Sequence, residues 1–265
     1  MPEPEALATA LRDALREAEA ELLPWLDRPP QTNEPLRAAP LMAGLLVLAE
    51  ATGGLPLALY EVGASAGLLL VLDRYEHRLG GVAAGTAGAP VRLAPGWEGG
   101  PPPAVPTPRV LRRLGSDLDP LDVTRPEDRE RLLAYIWPDQ PDRIARAEAA
   151  IDIAAADPPR LDRAEAADWT EATLRPEAPE TGVARVLMHA VALQYAPDET
   201  MARIAAQAAR AGEAATDASP FAWLRFEADP EFGEQGSLRL TLWPGGEERV
   251  LALGDTHGES LRWLG

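Results

Sequence analysis

Residues 57–68 read Leu-Ala-Leu-Tyr-Glu-Val-Gly-Ala-Ser-Ala-Gly-Leu. An apolar run ends in Glu61, and Gly63 and Gly67 then bracket three small residues ahead of a leucine-rich segment. The pattern predicts a strand, a tight glycine turn and a helix opening at Gly67. Such a turn lets backbone N–H groups approach a nucleotide-like ligand, and a helix N-terminus favours negative charge. A dinucleotide fingerprint needs three glycines spaced G-x-G-x-x-G, and here Ala64-Ser65-Ala66 leaves only two. The same five residues satisfy G-x-S-x-G, which at a strand-to-helix turn presents a serine nucleophile. A glycine-punctuated turn between a strand and a helix is also met with no chemistry attached.

Two further segments carry acids in suggestive places. Arg109–Leu114 reads as a strand closing on Gly115-Ser116-Asp117-Leu118-Asp119-Pro120, and Ala167-Asp168 follows a weakly signalled strand near Leu161. Asp and Pro at a strand end also serve simply as turn and cap residues. With Glu61–Gly67, these segments resemble the ordered motifs of class I S-adenosylmethionine-dependent methyltransferases. The resemblance implies S-adenosylmethionine as cofactor, bordered by Glu61, Gly63, Ser65 and Gly67. It implies further that Asp117 accepts hydrogen bonds from ribose hydroxyls and that Asp168 lies near the adenine amino group.

Few side chains are candidates for the transfer step itself. His189 lies in a fourth strand, Val183–Leu193, with Gln194 and Tyr195 at its C-terminal end, where open α/β sheets bind ligands. Glu227 ends a fifth strand that begins at Phe221, and His257 sits in Asp255-Thr256-His257-Gly258, where the glycine permits a sharp turn. The catalytic set is thus His189, Tyr195, Glu227 and His257, although a histidine on an apolar strand is also a common core residue. His77, between Glu76 and Arg78, reads as a solvated surface residue. His189, His257, Glu227 and Asp255 offer nitrogen and oxygen donors, but no His-x-x-x-His pair exists and no metal site is expected. An α/β-hydrolase-like esterase is the alternative enzyme, with Ser65, a later acid and His257 in the chain order of that class. A non-catalytic binding protein on the same fold is the third.

Composition narrows the field. The 265 residues contain no cysteine, which removes disulfides, thiolate metal sites and a cysteine nucleophile. Lysine is absent too, so all 25 basic side chains are Arg. A Schiff-base lysine and a P-loop lysine are thereby excluded. The net charge of −17 repels phosphate backbones and anionic lipid, so neither nucleic acid nor membrane is an expected partner. A small-molecule substrate is expected, and nothing in the sequence sets an oligomeric state. No apolar run approaches the length of a membrane span, and the acidic N-terminus lacks the pattern of a secretory signal, so a cytoplasmic location is expected.

The elements that must position these residues follow from periodicity. Residues 5–22 show apolar positions at helical spacing, ended by Pro24, Pro29 and Pro30, and 36–51 reads as a buried helix. Residues 1–52 are therefore expected to form a helical N-terminal cap, and 53–265 a Rossmann-like methyltransferase-type domain. A helix is expected over 67–79, stopped by Gly80-Gly81, then loop over 81–107 with a short strand near Val91–Leu93. One or two helices fill 126–156, with a break at Tyr135–Gln140, and an amphipathic helix spans 198–211. Strands at Phe221–Phe226, Leu238–Trp243 and Arg249–Leu253 close the chain in a hairpin. The expected class is α/β, with a Rossmann-like, seven-stranded, mainly parallel sheet ending in an antiparallel hairpin. Glu61–Leu68, Gly115–Val123, Trp137–Gln140, His189–Tyr195 and Thr256–Gly258 also resemble the bacterial domain of unknown function 2332 family, to which no activity is attached.

Overall fold

A computed structural model describes residues 3–27, 30–175, 180–233 and 235–265. The chain forms two compact units, Met1–Thr32 and Asn33–Gly265. The first holds α1 (Pro4–Glu17) and α2 (Glu19–Leu26). Pro4 opens α1 where its missing N–H costs nothing, and Leu7, Leu11 and Leu15 repeat on one face. Pro24 does not end the segment, because α2 continues through it to Leu26; Pro29 lies outside the described residues.

The unit boundary falls 20 residues before the expected limit of the N-terminal cap at residue 52, because the last helix of that region is core. In α3 (Ala38–Ala51) twelve of the 14 residues are buried, which matches its all-round apolar sequence. Each of its buried leucines contributes about 1.5–3 kcal/mol. Gly44 is the point of closest approach: a Cβ there would lie 2.5 Å from Leu224 Cδ1.

β1 (Leu57–Val62) follows and is buried along its whole length, as a strand covered on both faces must be. Beyond the Gly63–Gly67 turn come β2 (Glu76–Leu79), β3 (Val82–Gly85), β4 (Arg92–Leu93), β5 (Gly96–Glu98) and β6 (Val110–Asp117). Next are α4 (Pro126–Ala134), α5 (Pro141–Ala156), β7 (Arg160–Arg163), α6 (Ala166–Thr173), β8 (Ala184–Ala190) and α7 (Asp198–Glu213). The chain closes with β9 (Phe221–Ala228), β10 (Gly236–Trp243), β11 (Glu247–Gly254) and β12 (Ser260–Trp263).

The main sheet has nine strands, not seven, in the order β5-β12-β11-β10-β9-β8-β1-β6-β7. β7, β6, β1, β8 and β9 run parallel. β9, β10, β11 and β12 form an antiparallel meander that contains the expected hairpin, and β5 adds to its edge in parallel. Successive side chains of the central strands alternate between two cores. Leu57, Leu59, Val186, Met188, Ala222 and Leu224 pack in the core shared with α3, while Ala58, Tyr60, Leu187 and Trp223 pack with residues of α6 and α7. By the same alternation Glu61 points to the α3 face, and His189 and Glu227 point to the α6–α7 face.

The helix expected over 67–79 is absent. Residues 68–72 are apolar throughout and fully buried, so they leave no polar face for a surface helix. They descend as tight turns to a short 3-10 turn at Leu72–Arg74. Glu76–Leu79 then alternates and pairs with β3. Gly80 and Gly81, at φ 55° and 94°, form the two-residue hairpin turn rather than a helix stop. β2, β3 and β4 make a separate three-stranded sheet. His77 lies within it fully buried, not on the surface, with Nε2 2.7 Å from Leu72 O. Among the described residues no helix is long and apolar enough to cross a membrane.

Candidate functional site

The Gly63–Gly67 turn leaves β1, the central parallel strand, at its C-terminal end. β6 and β7 lie on one side of β1, and β8 and β9 on the other, so the connections change direction here. This is the topological switch point at which open α/β sheets bind ligands. Gly63 and Gly67 take φ of 69° and 73°. A Cβ on Gly63 would lie 2.5 Å from Ala192 Cβ, and one on Gly67 2.6 Å from Pro159 Cγ, so the protein's own packing demands both glycines. Ser65 also takes a left-handed φ, 52°, which is uncommon for a residue with a Cβ.

The turn is bound to the end of β6. Ser65 N–H donates to Asp117 Oδ2 at 2.8 Å, Asp119 N–H donates to Asp117 Oδ1 at 2.9 Å, and Leu121 N–H donates to Ser65 O at 3.1 Å. Glu61 is buried beneath it, with Oε2 lacking a partner. Burial first, and the Asp117 carboxylate second, push the Glu61 carboxyl well above the ordinary range. Glu61, Gly63, Ser65, Gly67 and Asp117 thus come together. Asp168 is engaged elsewhere: it lies in the first turn of α6 and ion-pairs with Arg203 of α7 at 2.6 Å.

The expected cradle of free N–H groups does not form. Ala64 N–H donates to Ser116 O, Gly67 N–H to Ala64 O and Leu68 N–H to Asn33 Oδ1. With Ser65 N–H on Asp117 and no helix after Gly67, little of the turn remains for a pyrophosphate. Two carboxyls, Glu61 and Asp117, face the turn instead. A cleft of about 310 Å³ adjoins it, lined by Ala66, Pro120, Leu121, Asp122, Val123, Pro158, Pro159 and Leu161.

Across the switch point, His189 is fully buried near the end of β8, and its Nδ1 lies 2.6 Å from Glu227 Oε1. The same oxygen accepts Ala192 N–H at 3.0 Å and Leu193 N–H at 3.2 Å. Burial would raise the Glu227 carboxyl, but the His189 bond and charge and these two N–H groups hold it below its ordinary value. Glu227 is therefore ionised, and the proton in the short bond belongs to Nδ1. His189 Nε2 is buried without a partner among the described residues. Val191, which turns the chain away from β8, sits at φ 52°; a β-branched residue there stores strain of about 1–3 kcal/mol.

Tyr195 is 79 % exposed in a 3-10 turn, Leu193–Tyr195. Gln194 Oε1 accepts Ala228 N–H at 3.4 Å. His257 sits in a loop braced by Asp255, which accepts the N–H groups of His257 and Ser260. Gly258 packs so closely on Leu36 O that a Cβ would lie 2.7 Å from it. Among the described residues no group of three or more His, Cys, Asp or Glu is placed to hold a metal ion.

Residues 33–37, outside every motif read from the sequence, connect these pieces. Asn33 holds Leu68, Glu34 receives Arg143 and Arg146, and Arg37 Nε donates to Thr256 O at 2.9 Å. Burial lowers the pKa of the Arg37 guanidinium, while the Glu34 and Glu227 carboxylates act to raise it. An Asn-Glu-Pro-Leu-Arg run, polar residues directly before an all-apolar helix, is the signal that marks this segment.

Fold and site together define an α/β protein with a braced glycine turn and buried ionisable groups at the C-terminal edge of a parallel sheet. No curated protein and no solved structure matches the chain. It belongs to the bacterial family described as "uncharacterized protein conserved in bacteria (DUF2332)", which matches residues 1–263.

Proposed function

We propose that the protein binds S-adenosylmethionine at the Gly63–Gly67 turn and transfers its methyl group to a small molecule. The observation that carries this is the turn itself, at the switch point, with Asp117 joined to it through Ser65 N–H. The residues present suit a nucleoside with a cationic tail better than a dinucleotide. The Asp117 carboxylate favours a sulfonium or an ammonium, whereas turn amides already bonded within the protein and a missing helix N-terminus disfavour a pyrophosphate. The cleft beside Ala66, whose lining residues are apolar except for Asp122, suits a base.

When bound, the cofactor supplies an electrophilic methyl group, and the chain must position a nucleophile and remove its proton. We assign His189 Nε2 as the base of this scheme, with the ring oriented by the Nδ1–Glu227 bond; Glu227 is a positioning residue. Tyr195 and His257 are assigned to the acceptor region. Calorimetric titration with S-adenosylmethionine and S-adenosylhomocysteine tests the proposal.

One observation favours a second function. The left-handed backbone of Ser65, at the centre of Gly-x-Ser-x-Gly and at a strand end, is the strain expected of a nucleophilic serine. The absence of a following helix weighs against it. We expect no labelling by a fluorophosphonate probe; stoichiometric labelling at Ser65 would replace methyl transfer with ester hydrolysis.

A further inference from the structure

Arg143 and Arg146 lie three residues apart in α5 and share a face of the helix. Both direct Nε at one carboxylate: Arg143 to Glu34 Oε2 at 2.5 Å and Arg146 to Glu34 Oε1 at 3.2 Å. The Glu34 side chain is only 2 % exposed and also accepts Leu36 N–H at 3.0 Å. Gln140, the last residue of the Trp137-Pro138-Asp139-Gln140 run, accepts Arg143 Nη1 at 3.0 Å. These bonds fix both guanidinium planes. Arg143 Nη2 and both Nη atoms of Arg146 hydrogen-bond to no described residue, and the two side chains remain partly exposed.

Two cations one helical turn apart repel, and one carboxylate neutralises only one of them. The nearby Arg37 adds a third positive charge, which Glu227 offsets, so one charge stays in excess. A local cationic excess, held rigid, is out of keeping with a chain whose net charge is −17. If its duty were only to tie α5 to Glu34, one arginine would satisfy the charge. The position is also telling, because Asn33 beside Glu34 holds the turn at Leu68.

We propose that Arg143 and Arg146, pinned side by side by Glu34, form a clamp for the carboxylate or phosphate group of a small-molecule ligand. Planar guanidinium forks recognise both groups through paired N–H donors, and a preset geometry reduces the entropy lost on binding. The clamp is independent of whether the turn takes a nucleoside.

The Nε–H groups of Arg143 and Arg146 report on it directly. Inorganic phosphate and acetate are titrated separately into the ¹⁵N-labelled full chain at constant ionic strength, with chloride as the reference anion. At least one of the two shifts both Nε–H resonances saturably, and the tighter one identifies the ligand group. Arg146→Gln, which keeps the Arg143–Glu34 pair, weakens that binding roughly tenfold, the worth of one charge-assisted pair. Arg146→Lys weakens it similarly, because lysine keeps the charge and loses the fork, and so serves should the glutamine variant not fold. Resonances that move no further than in chloride overturn the clamp, as does undiminished affinity in a folded Arg146 variant.

Discussion

Removing the Glu227 side chain should cost several kcal/mol of stability. Its Oε1 accepts His189 Nδ1–H, Ala192 N–H and Leu193 N–H. His189 and Leu193 are buried, so in Glu227→Ala their donors lose the partner and no water replaces it. A buried donor left unpaired costs about 1–3 kcal/mol, so these two together set a loss of about 2–6 kcal/mol. That is a large part of a typical domain stability of about 5–15 kcal/mol. Urea unfolding followed by tryptophan fluorescence measures it. Glu227→Gln separates charge from geometry, because the amide oxygen still accepts. The carboxyl of Glu227 lies below its ordinary value of 4.5 in the folded protein. A depressed carboxyl contributes stability that is present above the unfolded value and lost as pH falls through the folded one. Glu227→Gln should therefore flatten the decline of stability below pH 4.5. A loss in Glu227→Ala under about 1 kcal/mol, the worth of one ordinary hydrogen bond, would refute the reasoning. So would an unchanged acid limb in Glu227→Gln.

Two other titrations have opposite signs. Glu61 has a raised carboxyl, so the native state retains a proton that the unfolded chain releases above pH 4.5, and stability falls as pH rises through that window. Glu61→Gln, which mimics the protonated acid, should raise the thermal midpoint at neutral pH and leave it unchanged well below pH 4.5; a lowered midpoint at neutral pH contradicts this. His77 is pushed down to about 4 by burial, against an ordinary value of 6.5, so the unfolded chain takes up the extra proton between these values. Stability should decline as pH drops through that interval, and a folded His77→Gln variant should lose this part of the decline; an identical slope in both proteins contradicts it.

The amino-acid pattern locates most of the sheet because its strands advertise themselves locally. β1, β8 and β9 are predominantly apolar runs, and β10 and β11 alternate around the Pro244-Gly245-Gly246 turn. Where local and tertiary demands diverge, it misleads. Leu68–Leu72 has helix-forming residues but is wholly core, and a glycine pair that stops helices equally well turns a hairpin. β5 and β12 are three and four residues long, and β5 pairs only with β12, a partner brought close by the fold. The site divides in the same way. Glu61, Gly63, Ser65, Gly67 and Asp117 are marked by short-range motifs at strand ends, which any parallel sheet gathers to one edge. The partners of Glu34 and Arg37 stand 109 to 219 residues away in the chain, and no local spacing encodes them.

The central claim is a nucleoside cofactor at the Gly63–Gly67 turn, and calorimetric titration of the full chain with S-adenosylhomocysteine tests it most directly. Stoichiometric binding is expected in the unaltered protein. Asp117→Ala should weaken it by about 1–3 kcal/mol, the net worth of two hydroxyl hydrogen bonds, each 1.4 kcal/mol being tenfold in affinity. Absence of binding by the folded, unaltered protein to both S-adenosylhomocysteine and S-adenosylmethionine, or equal affinity in a folded Asp117→Ala variant, would contradict the claim.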